Sequence, residues 1–315
     1  MPSDLATESS SPTLIPAWIA WVTTDAPRRL AVATIQDYQR QVRAFARWME
    51  TTLEVAFTAE SITPYRMEQY VASLEGQVFR KCRKPATVNK AVAALTLLGA
   101  WLVTTETCAD TPARRLRTME EQPGPPQALP PTVVTKLLDA AHHTGDLRDA
   151  VVIEILAFSG MRASEVAAIH LEDLEVGRRT TWVQLMGKGH KRRRVPLPKR
   201  VGTLIQQYLD VRMATEGHRP TTGPLLMGER GGITRTTINR TVSTVAARAH
   251  LTPAERTLVT PHAFRHSVAT HLVRTHDLVT VADLLGHQSL STTRRYSKAT
   301  AQDLEAAVET LYPEP

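Results

Sequence analysis

The stretch TTWVQLMGKGHKRRRVPL, residues 180–197, contains the clearest strand signal of the sequence. Two short runs, Thr180–Met186 and Arg192–Leu197, flank a turn at residues 187–190 whose two glycines can adopt positive φ. This pattern predicts a β-hairpin. Because apolar residues recur at helical spacing on both sides of it, we expect a mainly α fold with a small β-sheet.

The same stretch is strongly basic. Between Met186 and Arg200 lie seven cations and no acid, namely Lys188, Lys191, Arg192, Arg193, Arg194, Lys199 and Arg200. The whole chain has a formal net charge of +7, which favours polyanionic partners, although solvated surface arginines are the alternative. We expect the hairpin cations Lys191, Arg192, Arg193 and Arg194 to follow the backbone of a bound DNA duplex.

Composition is that of a soluble globular protein with room for two domains: 315 residues, 42% hydrophobic and 22% charged. No apolar run approaches a membrane span and the first residues are polar, so we expect a cytoplasmic protein without a membrane partner. The two cysteines, Cys82 and Cys108, lack metal-ligand spacing.

A proline-rich linker divides the chain. Six of the 20 prolines fall at positions 112, 123, 125, 126, 130 and 131, a density that a helix cannot accommodate. We therefore expect an N-terminal tail at 1–13, a helical domain at 14–110, a linker at 111–130 and a second domain at 131–315. The helices predicted are 14–23, 34–51, 63–74, 87–103, one opened by Pro131, 147–158, 163–169, 199–214, 234–250, 261–275, 278–285 and 301–311.

The helix at 34–51 has a buried and a charged face. Thr34 with Asp37 resembles a capping box, and Tyr38, Val42, Phe45 and Met49 recur at helical spacing. Arginines form a parallel stripe, for which a solvated flank is the alternative to DNA contact. The candidate DNA-binding residues of this domain are Arg40, Arg43, Arg47, Lys81, Arg83 and Lys84.

Four short segments of the second half occur in a fixed order. They are SGMRASE at 159–165, GKGHK at 187–191, HAFRH at 262–266, and LGH at 285–287 followed by Tyr296. Together they resemble the catalytic motifs of the tyrosine recombinase and phage integrase family. The short N-terminal tail makes the layout similar to the two-domain Xer-type or transposon-type members, and the resemblance implies a helical core-binding, DNA-binding domain before the linker and a catalytic domain after it.

The chemistry explains why arginines occur in such motifs. A phosphodiester under attack gains negative charge, and a guanidinium fork binds two phosphate oxygens at once. Arg162 and Arg265 are therefore the candidate clamp, with surface salt bridges as the alternative. Glu165, one turn after Arg162, is expected to bond neighbouring backbone or cations as a supporting residue.

The family resemblance implies the remaining roles. Tyr296 would attack the phosphorus to give a 3′-phosphotyrosyl link, with His262 as its acid-base partner and His287 bonding the phosphate. Lys188 would protonate the leaving 5′ oxygen, with simple phosphate binding as its alternative. No nucleotide cofactor is expected, because the covalent link stores the bond energy, and no metal is expected, because Arg162, Arg265 and Lys188 supply the positive charge.

Other interpretations compete with this one. His262 and His266 have the spacing of a helical zinc pair, but Ala263 stands where a zinc protease has its glutamate. Type IB topoisomerase activity and a non-catalytic DNA-binding regulator are the rival functions.

The resemblance also implies assembly. Four protomers would meet on two paired double-stranded DNA sites, and the free protein would be a monomer. The motifs fit phage integration, transposon movement and dimer resolution equally well.

Overall fold

The computed structural model describes residues 14–27, 29–80, 84–121, 127–143, 145–186 and 192–286. The chain divides into two compact units, Met1–Pro123 and Gly124–Pro315, and each has its own hydrophobic core. Helices dominate both units within the described ranges, and strands are few. The predicted fold class, mainly α with a small β-sheet, is confirmed.

In its described residues, the first unit contains four helices: α1 (Leu14–Thr24), α2 (Val32–Thr52), α3 (Pro64–Phe79) and α4 (Pro85–Thr104). The hydroxyl of Thr63 accepts a hydrogen bond from the backbone N–H of Arg66 and so caps α3. The apolar face predicted for α2 is present, since Val42, Phe45 and Met49 are fully buried. All four helices contribute to one core.

The start of α2 differs from the prediction. The helix begins at Val32 with Ala31 as an N-cap that makes no side-chain bond, so the predicted capping box of Thr34 and Asp37 is wrong. The Asp37 carboxylate instead lies 2.6 Å from Arg40 and 3.2 Å from Lys90. Its ion pairs join α2 to α4 and engage one arginine of the predicted DNA-binding stripe.

Helix α4 is the centre of this unit. By length and composition it is apolar enough to cross a membrane, yet half of that stretch is buried inside the protein. Leu95, Leu98 and Leu102 are fully buried in the core. A core helix passes the same test as a membrane span, so α4 is weak evidence for one.

Part of the predicted linker belongs to the two cores. Ala113 and Leu116 are buried in the first unit, and the Asn89 side chain exchanges hydrogen bonds with the backbone of Met119 at 2.7 and 2.9 Å. Leu129 is buried in the second unit. Prolines prevent helix formation here, but they do not prevent packing.

The second unit is built around α6 (Leu147–Ser159), whose residues from Ala150 to Leu156 are buried on every side, as its nearly apolar sequence predicts. The helices around it are α5 (Pro131–His143), α7 (Ala163–Ala167), α8 (Lys199–Glu216), α9 (Arg235–Arg248), α10 (Pro253–Leu258), α11 (Pro261–Val273) and α12 (Leu278–Leu285). Among these helices α10 was not predicted, although Thr252 and Glu255 form its capping box, and neither was the short 3-10 helix Leu171–Asp173.

A three-stranded antiparallel sheet contains the predicted hairpin strands. Its order is β1 (Leu174–Val176), β2 (Thr180–Met186), β3 (Arg192–Pro198), with Val183 opposite Val195. Strand β1 is too short to give a sequence signal. A further pair, β4 (Met227–Gly228) and β5 (Gly231–Gly232), completes the strands of the described ranges. The turn at 187–190, the tail at 1–13 and the helix predicted at 301–311 lie outside the described residues.

Candidate active site

Helix α11 holds a buried arginine. The Thr260 hydroxyl caps the helix by accepting from the N–H of Ala263 at 3.1 Å. Arg265 follows and is only 2% exposed. Its Nη1 donates to the carbonyl of Gly160 at 2.8 Å and its Nη2 to that of Leu285 at 2.7 Å. One guanidinium thus links α11 to the ends of α6 and α12, and the carbonyls offset its burial.

The turn after α6 is fixed tightly. Ser159 donates to the carbonyl of Ile155 at 2.5 Å and accepts from the N–H of Met161 at 3.1 Å. Gly160 has a φ of 63°, and a Cβ there would lie 2.8 Å from a methyl carbon of Leu285. Only glycine suits both the left-handed conformation and this close approach. The turn therefore delivers Arg162 to the start of α7 in a defined position.

Glu165 bonds two arginines and the backbone. Its carboxylate accepts from the backbone N–H of Arg162 at 2.8 Å and from the Arg162 guanidinium at 2.8 Å. Two nitrogens of Arg193 donate to it as a fork, at 3.1 and 2.8 Å. The Glu165 side chain is 12% exposed, whereas that of Arg162 is 45% exposed. Glu165 thus forms the buried base of a cluster whose outer cation is accessible.

These contacts set the charge state of Glu165. Burial raises the pKa of its carboxyl, but the hydrogen bond from Arg193, the backbone bond at Arg162 and the charge of Arg193 together outweigh burial. The net pKa lies below the ordinary glutamate value. Glu165 is therefore a carboxylate at neutral pH and acts as a hydrogen-bond acceptor rather than a proton donor.

Arg193, one of the cations predicted to follow a DNA backbone, lies on the inner face of β3. Side chains alternate along a strand, so Arg193 shares a face with the buried Val195 and Leu197. Its side chain is 13% exposed, and besides Glu165 it bonds the carbonyl of Leu284 at 3.3 Å. Its guanidinium is occupied within the protein.

The outer face of β3 is different. Arg194 is 52% exposed, pairs with Glu175 and lies 4.8 Å from the ring centre of Trp182. Arg192 is exposed, and no carboxylate of the described residues lies within 4 Å of it. Arg192 is the better candidate for a phosphate contact.

The basic run as a whole is less available than predicted. Arg200 pairs with the buried Glu154 and lies 5.0 Å from the ring centre of Phe158. Three of the five described cations of this run, Arg193, Arg194 and Arg200, are therefore bound to carboxylates. Carboxylates that lie close to these arginines in space, but not in sequence, neutralise part of the positive charge of the run.

The two histidines of α11 lie together, with ring centres 4.2 Å apart and an angle of 65° between the rings. His262 is exposed, whereas His266 is 7% exposed. Among the residues that the structure describes, no group of three or more His, Cys, Asp or Glu side chains is placed to hold a metal ion. The zinc interpretation gains no third ligand there.

The structure brings Arg162, Glu165 and Arg265 into one connected region. Arg193, which the motifs did not include, joins this region through its hydrogen bonds. The connection runs through the end of α12, where Leu284 and Leu285 accept from Arg193 and Arg265. Predicted residues outside the described ranges are Lys81, Arg83, Lys188, Lys191, His287 and Tyr296. Arg40, Arg43, Arg47 and Lys84 are exposed on the first unit.

The inward position of Arg193 could have been predicted from the sequence. The residues that alternate with it, Val195 and Leu197, are the apolar ones of the strand, and this places Arg193 on the inner face. A run of three arginines suggested charge density and concealed that alternation.

Comparison with known proteins identifies the class. The phage integrase family matches residues 127–303. The chain is 30% identical over 292 residues to tyrosine recombinase XerC of Pelobacter propionicus, covering 91% of both proteins. It is 31% identical over 301 residues to tyrosine recombinase XerD of Bifidobacterium longum, covering 91% of this chain and 93% of the relative.

A solved structure agrees in fold. XerH site-specific recombinase bound to difH substrate superposes with a TM-score of 0.67 at 21% identity, over 90% of this chain and 81% of that one. The chain belongs to the phage integrase family. It is a tyrosine recombinase, an enzyme of site-specific DNA recombination, and the family prediction is confirmed.

Proposed function

We propose that this protein recombines two specific double-stranded DNA sites by passing each cut strand through a covalent link to Tyr296. The observation that carries the proposal is the connected arginine region: Arg162 and Arg265 lie in the predicted motifs, and Arg265 bonds the last residue of α12. The motif that begins there continues to His287 and Tyr296 along the chain. Relatives that align over nine-tenths of the chain are named recombinases, and this favours recombination over topoisomerase activity or a regulatory role.

In this proposal the arginines stabilise the charge that develops on phosphate. Arg162 is half exposed and is oriented by Glu165, which leaves its outer edge accessible to a phosphate oxygen. Arg265 adds fixed positive charge in a buried setting, where it is weakly screened. Since both are held before DNA arrives, little reorganisation is needed during the reaction.

The proton transfers are assigned to the other motif residues. The Tyr296 oxygen bonds to phosphorus while His262 accepts the phenol proton, and the bond to the 5′ oxygen breaks as Lys188 supplies a proton to it. His287 bonds the phosphate. Rejoining reverses these steps with a 5′ hydroxyl as nucleophile, so that bond number and charge balance without a nucleotide cofactor or metal.

Binding is shared between both domains. We assign phosphate contacts on the helical domain to Arg40, Arg43, Arg47, Lys81, Arg83 and Lys84, and on the catalytic domain to Lys191, Arg192 and Arg194. Two duplexes with two cuts each require four protomers, so the working form is a tetramer on DNA and the free protein a monomer. The place of action is the cytoplasm, where chromosomal and mobile DNA is found.

The test is a nicked suicide duplex carrying the sequence that the protein selects from a random DNA library. Wild type is expected to give a DNA-bearing band in a denaturing gel, and Tyr296→Phe to bind DNA without forming it. Tyr312→Phe is the matched control and is expected to cleave normally. An adduct that persists in Tyr296→Phe would remove the assignment of the nucleophile.

A second experiment separates clamp from leaving-group chemistry. Lys188→Ala is expected to cleave slowly and to recover on a 5′-bridging phosphorothiolate, whose sulfur leaves without protonation. Arg162→Ala is expected not to recover. Equal responses of the two variants would make Lys188 an electrostatic residue only.

A further inference from the structure

Arg193 contacts two parts of the candidate site at once. Its two terminal nitrogens bind Glu165 as a fork, and its Nε donates to the carbonyl of Leu284 near the end of α12. Neither the motif resemblance nor the proposed mechanism gives this residue a role. Because its side chain is only 13% exposed, Arg193 is not placed to make a simple contact with the DNA backbone.

We propose that Arg193 is a positioning residue for DNA cleavage, which fixes Glu165 beneath Arg162 and ties both to the C-terminal end of α12. This rests on the proposed function, because it takes Arg162 as part of the phosphate clamp. In this role Arg193 needs no contact of its own with the phosphate. It acts through the residues it holds.

The fork explains why arginine is needed at this position. Two parallel N–H donors on one carboxylate fix both the distance and the rotation of Glu165. The Glu165 carboxylate in turn fixes Arg162 through its backbone and its guanidinium. A lysine would keep the charge but not the fixed rotation.

Arg193 also contacts the C-terminal end of α12. The last carbonyls of a helix carry partial negative charge and have no partner within the helix. Arg193 from β3 and Arg265 from α11 bind the carbonyls of Leu284 and Leu285, which are successive residues. Two arginines from different elements therefore fix the end of α12, and Arg193 also fixes Glu165, which orients Arg162.

Gly286 provides an independent way to disturb the same contact. It caps α12 in the left-handed conformation with a φ of 64°, and a Cβ there would lie 2.7 Å from Nη1 of Arg193. A methyl group at this position would push the guanidinium while leaving its charge intact, and it would also strain the left-handed backbone at the end of α12. If placement of Arg193 matters, Gly286→Ala should reproduce part of the effect of removing it.

The experiment measures binding and cleavage separately on the library-selected duplex. Protein at saturating concentration cleaves the suicide substrate in a single turnover, and fluorescence anisotropy gives the Kd. We expect Arg193→Ala to slow adduct formation by about 100-fold, the usual cost of a misplacement near 1 Å, while the Kd changes less than about threefold. Arg193→Lys should be intermediate. Arg178→Ala, which removes an exposed arginine between β1 and β2 that has no assigned role, is the matched control and should cleave at the wild-type rate.

A merely structural role is distinguished by a double-mutant cycle. Because Arg193 acts through Glu165, Glu165→Gln should add little to the loss caused by Arg193→Ala, whereas independent effects would multiply the two losses. A thermal unfolding measurement on each variant checks that the assay temperature lies below its Tm. If Arg193→Ala does not fold, Arg193→Lys and Gly286→Ala decide the matter, since both are expected to fold and cleave at least tenfold more slowly.

Wild-type cleavage rates in those two variants, or a rate loss in Arg193→Ala that is explained by a weaker Kd, would overturn the positioning role. Absence of an adduct with wild-type protein would instead overturn the proposed function. The two failures are therefore distinguishable in one set of reactions.

Discussion

The two faces of β3 carry the same residue type in opposite settings. Arg193 on the inner face is nearly buried and binds Glu165 and the end of α12, whereas Arg194 on the outer face is half exposed and pairs with the exposed Glu175. Both are arginine–glutamate pairs in adjacent positions. Residue type and local charge density are therefore the same for both. Burial, together with contacts beyond the ion pair, distinguishes a residue suited to fix geometry from one that faces solvent or DNA.

The largest effect is expected at Arg265, the most buried cation of the inner set. Arg265→Ala removes fixed positive charge and the bonds to Gly160 and Leu285, and should reduce the single-turnover cleavage rate by about 10²- to 10³-fold. Arg265→Lys keeps the charge but cannot donate to both carbonyls as a fork, so it should lose at least about tenfold. Arg274→Ala, at the exposed C-cap of the same helix, is the control. Cleavage by Arg265→Ala near the wild-type rate would mean that the inner arginines do not assist the reaction.

The carboxylates of the two pairs sharpen the contrast. The pKa of Glu165 is lower in the folded protein than its ordinary value, so its stabilising contribution is complete at neutral pH and is lost as pH falls through the folded pKa. The unfolding free energy of wild type should therefore exceed that of Glu165→Gln near pH 7, and the difference between the two free energies should narrow below about pH 4.

Glu165→Gln should also cleave about tenfold more slowly, because a glutamine N–H group cannot accept from Arg193.

Glu175→Gln is the matched outer variant. Its side chain is 73% exposed, and a surface pair of this kind contributes about 0–1 kcal/mol. Denaturant unfolding at several pH values compares the two variants directly. A larger stability loss in Glu175→Gln than in Glu165→Gln would reverse the comparison.

A smaller effect is expected from the outer arginines on DNA affinity. Arg192 is exposed and has no carboxylate of the described residues within 4 Å, so Arg192→Ala should reduce the slope of log Kobs against log salt by about 0.9. Arg194 is already paired with Glu175, and its removal should change the slope by less than half as much. Anisotropy titrations at several salt concentrations measure both. Equal slopes for Arg192→Ala and wild type would exclude a phosphate contact at Arg192.

Chelation should have the smallest effect of all. In the proposed mechanism Arg162, Arg265 and Lys188 supply the positive charge that Mg²⁺ supplies in metal-dependent nucleases. Adding EDTA is therefore expected to leave the single-turnover cleavage rate unchanged. An absolute requirement for Mg²⁺ would contradict the assignment of the clamp to arginines.

Most of the fold followed from the sequence, because periodicity reports burial along one element. The hairpin strands and the buried α6 were predicted in this way, and only elements of a few residues, such as β1, gave no signal. The error at α2 arose because Thr34 and Asp37 have capping-box spacing, but Asp37 is engaged by Arg40 and by Lys90 of α4 instead.

The site was predictable only in part. Motif order pointed to Arg162 and Arg265, and the alternation of β3 was sufficient to place Arg193 inward. Partners that are distant along the chain were not accessible to sequence reasoning: Leu284 lies 91 residues from Arg193, and Gly160 lies 105 residues from Arg265. Pairings of this kind are set by tertiary packing.

The cleavage predictions rest on the proposal that a strand phosphate is passed to Tyr296. Digestion of the covalent adduct before aspartates separates the two C-terminal phenols, since Tyr296 falls in the peptide 283–302 and Tyr312 in the peptide 303–315. After nuclease treatment, mass spectrometry with fragmentation locates the remaining nucleotide. We predict that the nucleotide is attached to the oxygen of Tyr296. Attachment to Tyr312, or to any serine or threonine of either peptide, would contradict the account.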